Sequence, residues 1–360
     1  MSREEIETMP SREPRPDSHR EPLQPAETGR DRRALRVLSG TKPTGENLHL
    51  GNYFGALRQF VALQEEHDTA LYFIADYHSM TSVRSAAERR RNTLAVALDY
   101  LAAGLDPERA ILFRQSDLPE VCELTWILTS ITPMGLLERA HAYKAAMDKG
   151  EDVDHGLFTY PVLMAADILL FGSHRVPVGR DQKQHIEMAR DIAQRFNHLY
   201  ETEALVLPEP YILEDTATVP GTDGQKMSKS YDNTIAMFAA PGRIKKSVMG
   251  IVTDSTPVED PKDTDQALFQ LWSLFATPTE RQALFERARA GGLGYGEVKK
   301  DLLARLMDYF EPMRTRRAEL EGKPDEVEAI LRSGAERARA LAAPVMDGVR
   351  QAAGLGPPRG

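Results

Sequence analysis

Short apolar segments alternate with helical periods along the first third of the chain, and few architectures accept that order. Ala34–Ser39 is a strand-length apolar run that ends in the stretch Gly40–Gly45, where two glycines and Pro43 punctuate the chain before a helical pattern opens. Ala70–Ala75 is a second strand candidate, followed by a polar loop and by Ala86–Ala103, whose apolar residues recur at helical spacing. Ala110–Arg114 starts the unit again. Strands alternating with helices demand a parallel sheet with helices on both faces and ligands at the carboxyl ends of the strands. The expected fold class is therefore α/β, built on a doubly wound parallel sheet.

Strand signals fade after about Pro241. Ala267–Phe275, Thr279–Ala290 and Val298–Arg317 have helical patterns, with caps and breaks at Thr277, Pro278 and the Gly291–Gly296 region. Asp325–Ala353 is a long helical pattern with Pro324 near its start and Gly354 just beyond its end, and Pro344 should interrupt or kink it. A Rossmann-like sheet domain followed by a C-terminal all-helical domain is the expected plan. Met1–Arg33 is dense in Pro, Arg and Glu and nearly free of large apolar residues, so it reads as a disordered tail that burial cannot order.

Composition narrows the function classes. With 54 acidic residues against 45 Lys and Arg, the net charge is -9, and the molecule as a whole lacks the basic excess of a general nucleic-acid binder. Any RNA contact must be local. The single cysteine, Cys122, excludes an intrachain disulfide and a cysteine cluster for zinc or iron–sulfur. No apolar run approaches the ~20 residues that span a bilayer, and the N-terminus is polar rather than signal-like, so a cytoplasmic protein with no membrane partner is expected.

Two segments carry chemistry. In Pro43-Thr44-Gly-Glu-Asn-Leu-His49-Leu-Gly51-Asn52 a glycine turn leads to a helix start with a histidine and a glycine that permits close backbone approach. Helix N-termini supply free N–H groups and a positive dipole end, and His49 can donate to a phosphate oxygen without adding permanent charge. Taken alone, the pattern equally describes a surface histidine at an ordinary cap. About half the chain later, Gly224-Gln225-Lys226-Met227-Ser228-Lys229-Ser230 sets two lysines around Met and Ser on a Gly-primed mobile loop. Ammonium groups this close repel unless an anion neutralises them, which suits the triphosphate of ATP and the charge building on departing pyrophosphate.

Together these segments resemble the HIGH and KMSKS signatures of the class I aminoacyl-tRNA synthetases. The resemblance narrows at Thr159-Tyr160-Pro161-Val-Leu-Met164-Ala-Ala-Asp167-Ile-Leu169 and at Val176-Pro-Val178-Gly179-Arg-Asp181-Gln182-Lys-Gln-His185, which are similar to the amino-acid pocket of the bacterial tryptophanyl branch. It runs from about Leu38 to the C-terminus. The resemblance implies catalytic roles for His49, Asn52, Lys226, Ser228, Lys229 and Lys144. It implies ATP contacts from Lys42, Thr44, Gly51, Asn52, Gly179, Asp181, Gln182, Lys226, Met227 and Lys229. Tryptophan would meet Asp167, Met164, Tyr160, Gln182, His78, Val176, Val178 and Gly40.

An indole offers one N–H donor on a large apolar body, so its pocket needs one buried acceptor among apolar walls. Asp167 supplies the acceptor, and Met164, on the same helical face, can lay its thioether against the ring. Outside the resemblance, Asp167 reads first as a structural carboxylate capping a neighbouring loop and Met164 as simple core filling. Tyr160 and Gln182 match positions that contact the α-ammonium, and His78 one near the carboxylate and adenylate. Two positions depart from the pattern. Lys144 sits in a polar loop at a position that can reach pyrophosphate, but Ala146 stands where related chains often have a second lysine. Lys42 stands where many have glutamine, and it would either contact phosphate or alter the approach to the carboxylate.

The resemblance implies adenylate formation from L-tryptophan and ATP, then transfer to tRNA(Trp), with Mg²⁺ held chiefly by substrate phosphates rather than by a protein metal site. It implies a catalytic domain over residues 34–240, an anticodon-binding helical domain over 241–322, a C-terminal helix over 323–360 that packs back on the catalytic domain, and a homodimer. Arg243, Lys245, Lys246, Lys299, Lys300, Arg314, Arg316 and Arg317 could offset the global acidity locally. A tyrosyl enzyme, a non-catalytic paralogue and an unrelated nucleotidyltransferase are the rivals. Met164 with Asp167 argues against the first, intact phosphate-handling residues against the second, and the long helical half against the third.

Overall fold

The computed structural model describes residues 35–45, 48–150, 152–179, 182–212 and 219–356, so the N-terminal stretch read as a tail lies outside the described residues. The sheet starts with β1 (Arg36–Thr41). It pairs in parallel with β2 (Thr69–Ile74) from Arg36↔Thr69 to Thr41↔Ile74. That register draws Gly40 and Thr41, expected in the loop, into the strand. Glycine is required at 40, because a Cβ there would stand 2.4 Å from the Phe73 ring.

Between these strands, α1 (Leu50–Asn52) passes through a π-helical turn (Tyr53–Leu57) into α2 (Arg58–Glu66). After β2 come α3 (Asp76–Ser79), α4 (Ala86–Ala102), whose N-terminus is capped by Ser85 accepting from the Glu88 N–H at 3.3 Å, and β3 (Ala110–Arg114). Four helices follow: α5 (Glu120–Thr129), α6 (Met134–Leu137), α7 (His141–Asp148) and α8 (His155–Leu169). Then β4 (Arg175–Val178), α9 (Lys183–Leu199) and β5 (Glu209–Ile212) complete the sheet.

The strand order is β3-β2-β1-β4-β5, and every pairing is parallel. The chain winds outward from β1 to β3, then returns to the other side of β1 for β4 and β5, which is the doubly wound α/β fold. The strand order reverses between β1 and β4, so a crevice opens there at the carboxyl ends. The last two strands escape a sequence reading because each is four residues long and contains a proline, Pro177 or Pro210, that cannot donate to the ladder.

Alternate residues of β2 feed two cores. Ala70, Tyr72 and Ile74 face one layer, and Leu71 and Phe73 the other, which takes α5, α8 and α9. The first layer runs without a break into α10 (Pro241–Met249), α11 (Ala267–Ser273), α12 (Pro278–Ala290) and α13 (Tyr295–Glu321), since Phe269, Trp272, Leu302 and Phe310 share a cluster with Tyr72. Tyr53 meets Phe310 edge-on with ring centroids 5.0 Å apart. The helical part is thus packed on the sheet domain rather than tethered to it.

The final helix, α14 (Pro324–Ala352), runs through Pro344 without interruption, against the expectation from the sequence. Tertiary packing overrides the proline: Ala342, Met346 and Val349 are buried on either side of it, and Arg350 bonds Glu123 at 2.7 and 2.6 Å. This helix covers the exposed edge of β3. A Cβ on Gly334 would fall 1.9 Å from the Leu112 carbonyl oxygen, and Arg337 donates to the carbonyls of Pro107 and Ala110 at 2.6 and 3.2 Å. Edge carbonyls that could template another strand are thereby occupied.

Candidate active site

The candidate side chains form two clusters. The first forms where the His49 segment touches the Lys226–Lys229 loop, which follows it far along the chain. Leu50 N–H donates to the Ile235 carbonyl at 3.0 Å and Met237 N–H to the Leu48 carbonyl at 3.1 Å, so the two segments are laced by backbone hydrogen bonds. His49 occupies the N-cap of α1 and is buried, and Asn52 Oδ1 accepts its backbone N–H at 3.1 Å. The imidazole Nδ1 is buried without a hydrogen-bond partner among the described residues.

The loop closes over this helix start. Gly51 N–H points at the Met227 sulfur at 3.4 Å, and the Lys229 ammonium lies so near Gly45 that a Cβ there would stand 2.7 Å from Nζ. Shielding of that ammonium lowers its pKa, and the nearby Asp99 carboxylate partly restores it. Lys226 is exposed, and Ser228 caps a 3₁₀ turn (Lys229–Tyr231) by accepting from Ser230 N–H at 3.3 Å. The segment read as a mobile loop is pinned at its centre: the buried Asn233 accepts from Ser228 N–H at 2.8 Å and donates to Asp223 at 2.8 Å and to the Lys226 carbonyl at 3.1 Å.

Burial, and then the charge of Lys229, lowers the His49 pKa to about 4 from 6.5. The imidazole is neutral at pH 7. Because the unfolded chain takes up this proton near pH 6.5, the stability His49 contributes is present above that pH and lost as pH falls toward 4. The loss at the acid end is about 3 kcal/mol on the scale of ~1.36 kcal/mol per pKa unit. Thermal melts from pH 7 to 4 should therefore fall less steeply for His49→Gln than for the parent chain. Parallel curves would refute the assignment.

The second cluster lines a cavity of about 510 Å³. Gly40 and Lys42 enter it from β1 and the residue beyond, His78 from α3, Tyr160, Met164 and Asp167 from α8, and Val176, Gly179 and Gln182 from β4 and the turn after it. The π-helical turn contributes Gly55 and Ala56 to the same wall. Asp167 is 2% exposed, and its carboxylate accepts from Gln115 Nε2 at 2.7 and 2.9 Å and from His78 Nε2 at 2.8 Å. Burial raises its pKa and these donors oppose the rise. Two carboxylate oxygens offer about four lone-pair sites, so one further N–H can be accepted. Tyr160 Oη bonds His185 Nε2 at 2.5 Å. Lys42 donates to Thr81 Oγ1 at 2.9 Å, and partial burial lowers its pKa.

Other expected residues fall elsewhere. Lys144 is exposed on α7 rather than in a loop, because the apolar face of that helix packs inward through Ala146, which is 4% exposed. A lysine at 146 would be buried there. Thr44 is exposed just beyond β1. Asp181 and the side chain of Val178 lie outside the described residues. The sequence reading did not reach Gln115 or Asn233, and it gave His185, the last residue of the segment similar to the amino-acid pocket, no role of its own. Gln115 directly follows β3 at the ligand-binding end of the sheet, a positional signal that could have found it, whereas Asn233 acts through contacts that no local pattern announces.

The geometry has parallels among known proteins. The family described as tRNA synthetases class I (W and Y) matches residues 30–311. A tryptophan–tRNA ligase of Rhodopirellula baltica is 56% identical over 322 residues, covering 89% of this chain and 100% of the relative. One from Fusobacterium nucleatum is 52% identical over 320 residues, covering 89% and 98%. The crystal structure of a Campylobacter jejuni tryptophanyl-tRNA synthetase complexed with ADP and tryptophan superposes with a TM-score of 0.84 at 47% identity, covering 89% of this chain and 100% of that one.

Proposed function

This chain belongs to the tryptophanyl branch of the class I tRNA synthetases, and on that footing we propose that it activates L-tryptophan with ATP and loads it onto tRNA(Trp). In the first step a tryptophan carboxylate oxygen attacks the α-phosphorus, the bond to the bridging oxygen breaks and pyrophosphate leaves. In the second, a hydroxyl of the 3′-terminal ribose displaces AMP from the acyl carbon. What supports this reading most is Asp167, a buried carboxylate with one acceptor site left, facing a largely apolar cavity whose wall includes the π-helical turn that follows His49.

In this reading the indole N–H donates to Asp167 and Met164 lies against the ring, while Tyr160 and Gln182 receive the α-ammonium. Tyr160 can accept from that ammonium when His185 Nε2, 2.5 Å from its hydroxyl, takes the tyrosine proton. His49 donates to a phosphate oxygen as a neutral imidazole. Lys226 and Lys229 stabilise the charge gathering on pyrophosphate, and Ser228 and Asn52 hold the geometry. Mg²⁺ carried in with ATP would neutralise part of the phosphate charge, leaving Lys226 and Lys229 to meet the rest.

The helical part, residues 241–322, would meet the anticodon. Of the basic residues there, Arg314 bonds the carbonyls of Met237 and Ala239, Arg317 bonds Asp99, Arg316 pairs with Glu319, and Lys299 bonds the carbonyls of Met249 and Ile251. Arg243, Lys245, Lys246 and Lys300 are exposed and are the candidates for phosphate contact. Exposed Trp126 on α5 and Met134 on α6 suit a homodimer face. No helix among the described residues is long and apolar enough to cross a membrane; we place the protein in the cytoplasm.

The test is amino-acid-dependent exchange of labelled pyrophosphate into ATP, run with tryptophan and with tyrosine. Exchange with tryptophan alone supports the reading. Exchange with tyrosine overturns its specificity, and no exchange with either favours a binding paralogue.

A further inference from the structure

A carboxylate sits where α4 is otherwise buried and apolar: Asp99, 1% exposed, lies between Leu98 and Tyr100. Its Oδ2 accepts the backbone N–H of Leu48 at 3.0 Å, and its Oδ1 accepts from Arg317 Nε, on α13, at 2.6 Å. Leu48 is the residue before His49, and its carbonyl is taken by Met237 N–H at 3.1 Å. Both polar groups of that peptide stretch are therefore fixed, one by the segment after the Lys229 loop and one by Asp99.

The same helix grips the other strand of this lacing. The Arg317 guanidinium lies over the Phe238 ring at 5.3 Å, its far nitrogen pairs with Glu321, and Arg314 bonds the carbonyls of Met237 and Ala239 at 3.1 and 3.0 Å. One face of α13 thus holds the segment behind Lys229 directly and the segment ahead of His49 through a single buried carboxylate. Asp99 is also an opposite charge that Lys229 senses.

We propose that Asp99 is a positioning residue for the ATP site: with Arg317 it sets the placement of His49 relative to Lys229 and ties that placement to the seating of α13. The proposal rests on the reading that His49 and Lys229 handle the phosphates of ATP. Burial pushes the Asp99 carboxyl up to about 6 and Arg317 opposes that push, so the group is ionised at neutral pH. Displacing catalytic groups by ~1 Å can cost about a hundredfold in rate. A pair that registers both halves of a phosphate site should therefore matter to turnover without touching substrate.

The experiment compares Asp99→Asn, Arg317→Lys and the double variant Asp99→Leu with Arg317→Leu in tryptophan-dependent pyrophosphate exchange, alongside thermal melts. Asn retains an acceptor for Leu48 but not the charge. The double variant removes the ion pair without leaving either charge buried alone, at the cost of the Leu48 N–H acceptor, so its melt is read beside its activity. Asp99→Asn should lower kcat/KM for ATP about tenfold or more while KM for tryptophan stays within about twofold, since Tyr160, Met164 and Asp167, assigned to tryptophan, stand on α8, which Asp99 does not bond. The double variant should lose as much even where it melts like the parent, and Arg317→Lys should recover part of the activity. Unchanged kcat/KM for ATP in variants assayed below their melting temperatures overturns the proposal and leaves the pair a staple. Absence of exchange by the parent chain would instead overturn the proposed function.

Discussion

Lys229→Ala should lower tryptophan-dependent pyrophosphate exchange by about a hundred- to a thousandfold, the range seen when one preorganised charge-stabilising group is removed. The ammonium is held over Gly45, on the loop that precedes His49, and senses Asp99 behind it, so it needs little reorganisation to receive a phosphate. The charge it meets grows as the bond to pyrophosphate breaks. Its interaction is therefore stronger in the transition state than with bound ATP, and the loss should appear mainly in kcat rather than in KM for ATP. Truncating a side chain that is exposed over much of its length should leave the melting temperature nearly unchanged. A drop of less than about threefold, or one confined to KM, would remove Lys229 from the role of transition-state clamp.

Asp167→Asn should lower kcat/KM for tryptophan by about ten- to a hundredfold, the cost of one stranded buried donor, and narrow the preference over phenylalanine. The carboxylate accepts from Gln115 and His78 and keeps one site for the indole N–H. An amide offers one oxygen, and its NH₂ would face the Gln115 or indole donor, so at least one buried N–H is left unpaired. Each stranded group costs about 1–3 kcal/mol. Sites built around such a hydrogen bond separate substrates with and without the donor by roughly 10⁴–10⁵, and the variant loses the basis for that separation. Burial already raises the carboxyl pKa of Asp167, so replacing the charge with a neutral isostere relieves a desolvation cost and should spare the fold. Competition between tryptophan and phenylalanine in the exchange assay reads the outcome; an unchanged ratio would assign the selectivity to the apolar walls instead.

How far the site could be read in advance depended on sequence distance. Met164 and Asp167 lie three positions apart in an apolar helical pattern, so their shared face follows from the helix repeat, and both line the cavity. His49 and the two lysines stood out because each segment concentrates unusual chemistry within a few residues. Gln115 meets Asp167 across 52 positions, and Asn233 acts by gathering backbone groups of its own loop. Neither residue type is rare and neither spacing is periodic, so only the place of Gln115 just after β3 could have marked it, and nothing local marks Asn233. Lys144 was misplaced for the reverse reason: a short polar stretch reads as loop, and only packing of Ala146 against the interior makes it a helix.

The sequence by itself determined the alternation of strand and helix, the helical character of the chain after Pro241 and the two segments proposed to handle phosphate, because all of these are written within windows of about ten to twenty residues where backbone periodicity and cap chemistry act. Only the tertiary structure decided the pairings. It placed two proline-containing four-residue strands on the far side of β1, carried α14 straight through Pro344 along the edge of β3, and brought Gly51 to Met227 across 176 positions and Asp99 to Arg317 across 218. The physical reason is that these contacts are chosen by burial and by the need to satisfy every buried donor and acceptor at once, a condition on the whole folded chain that no single segment can state.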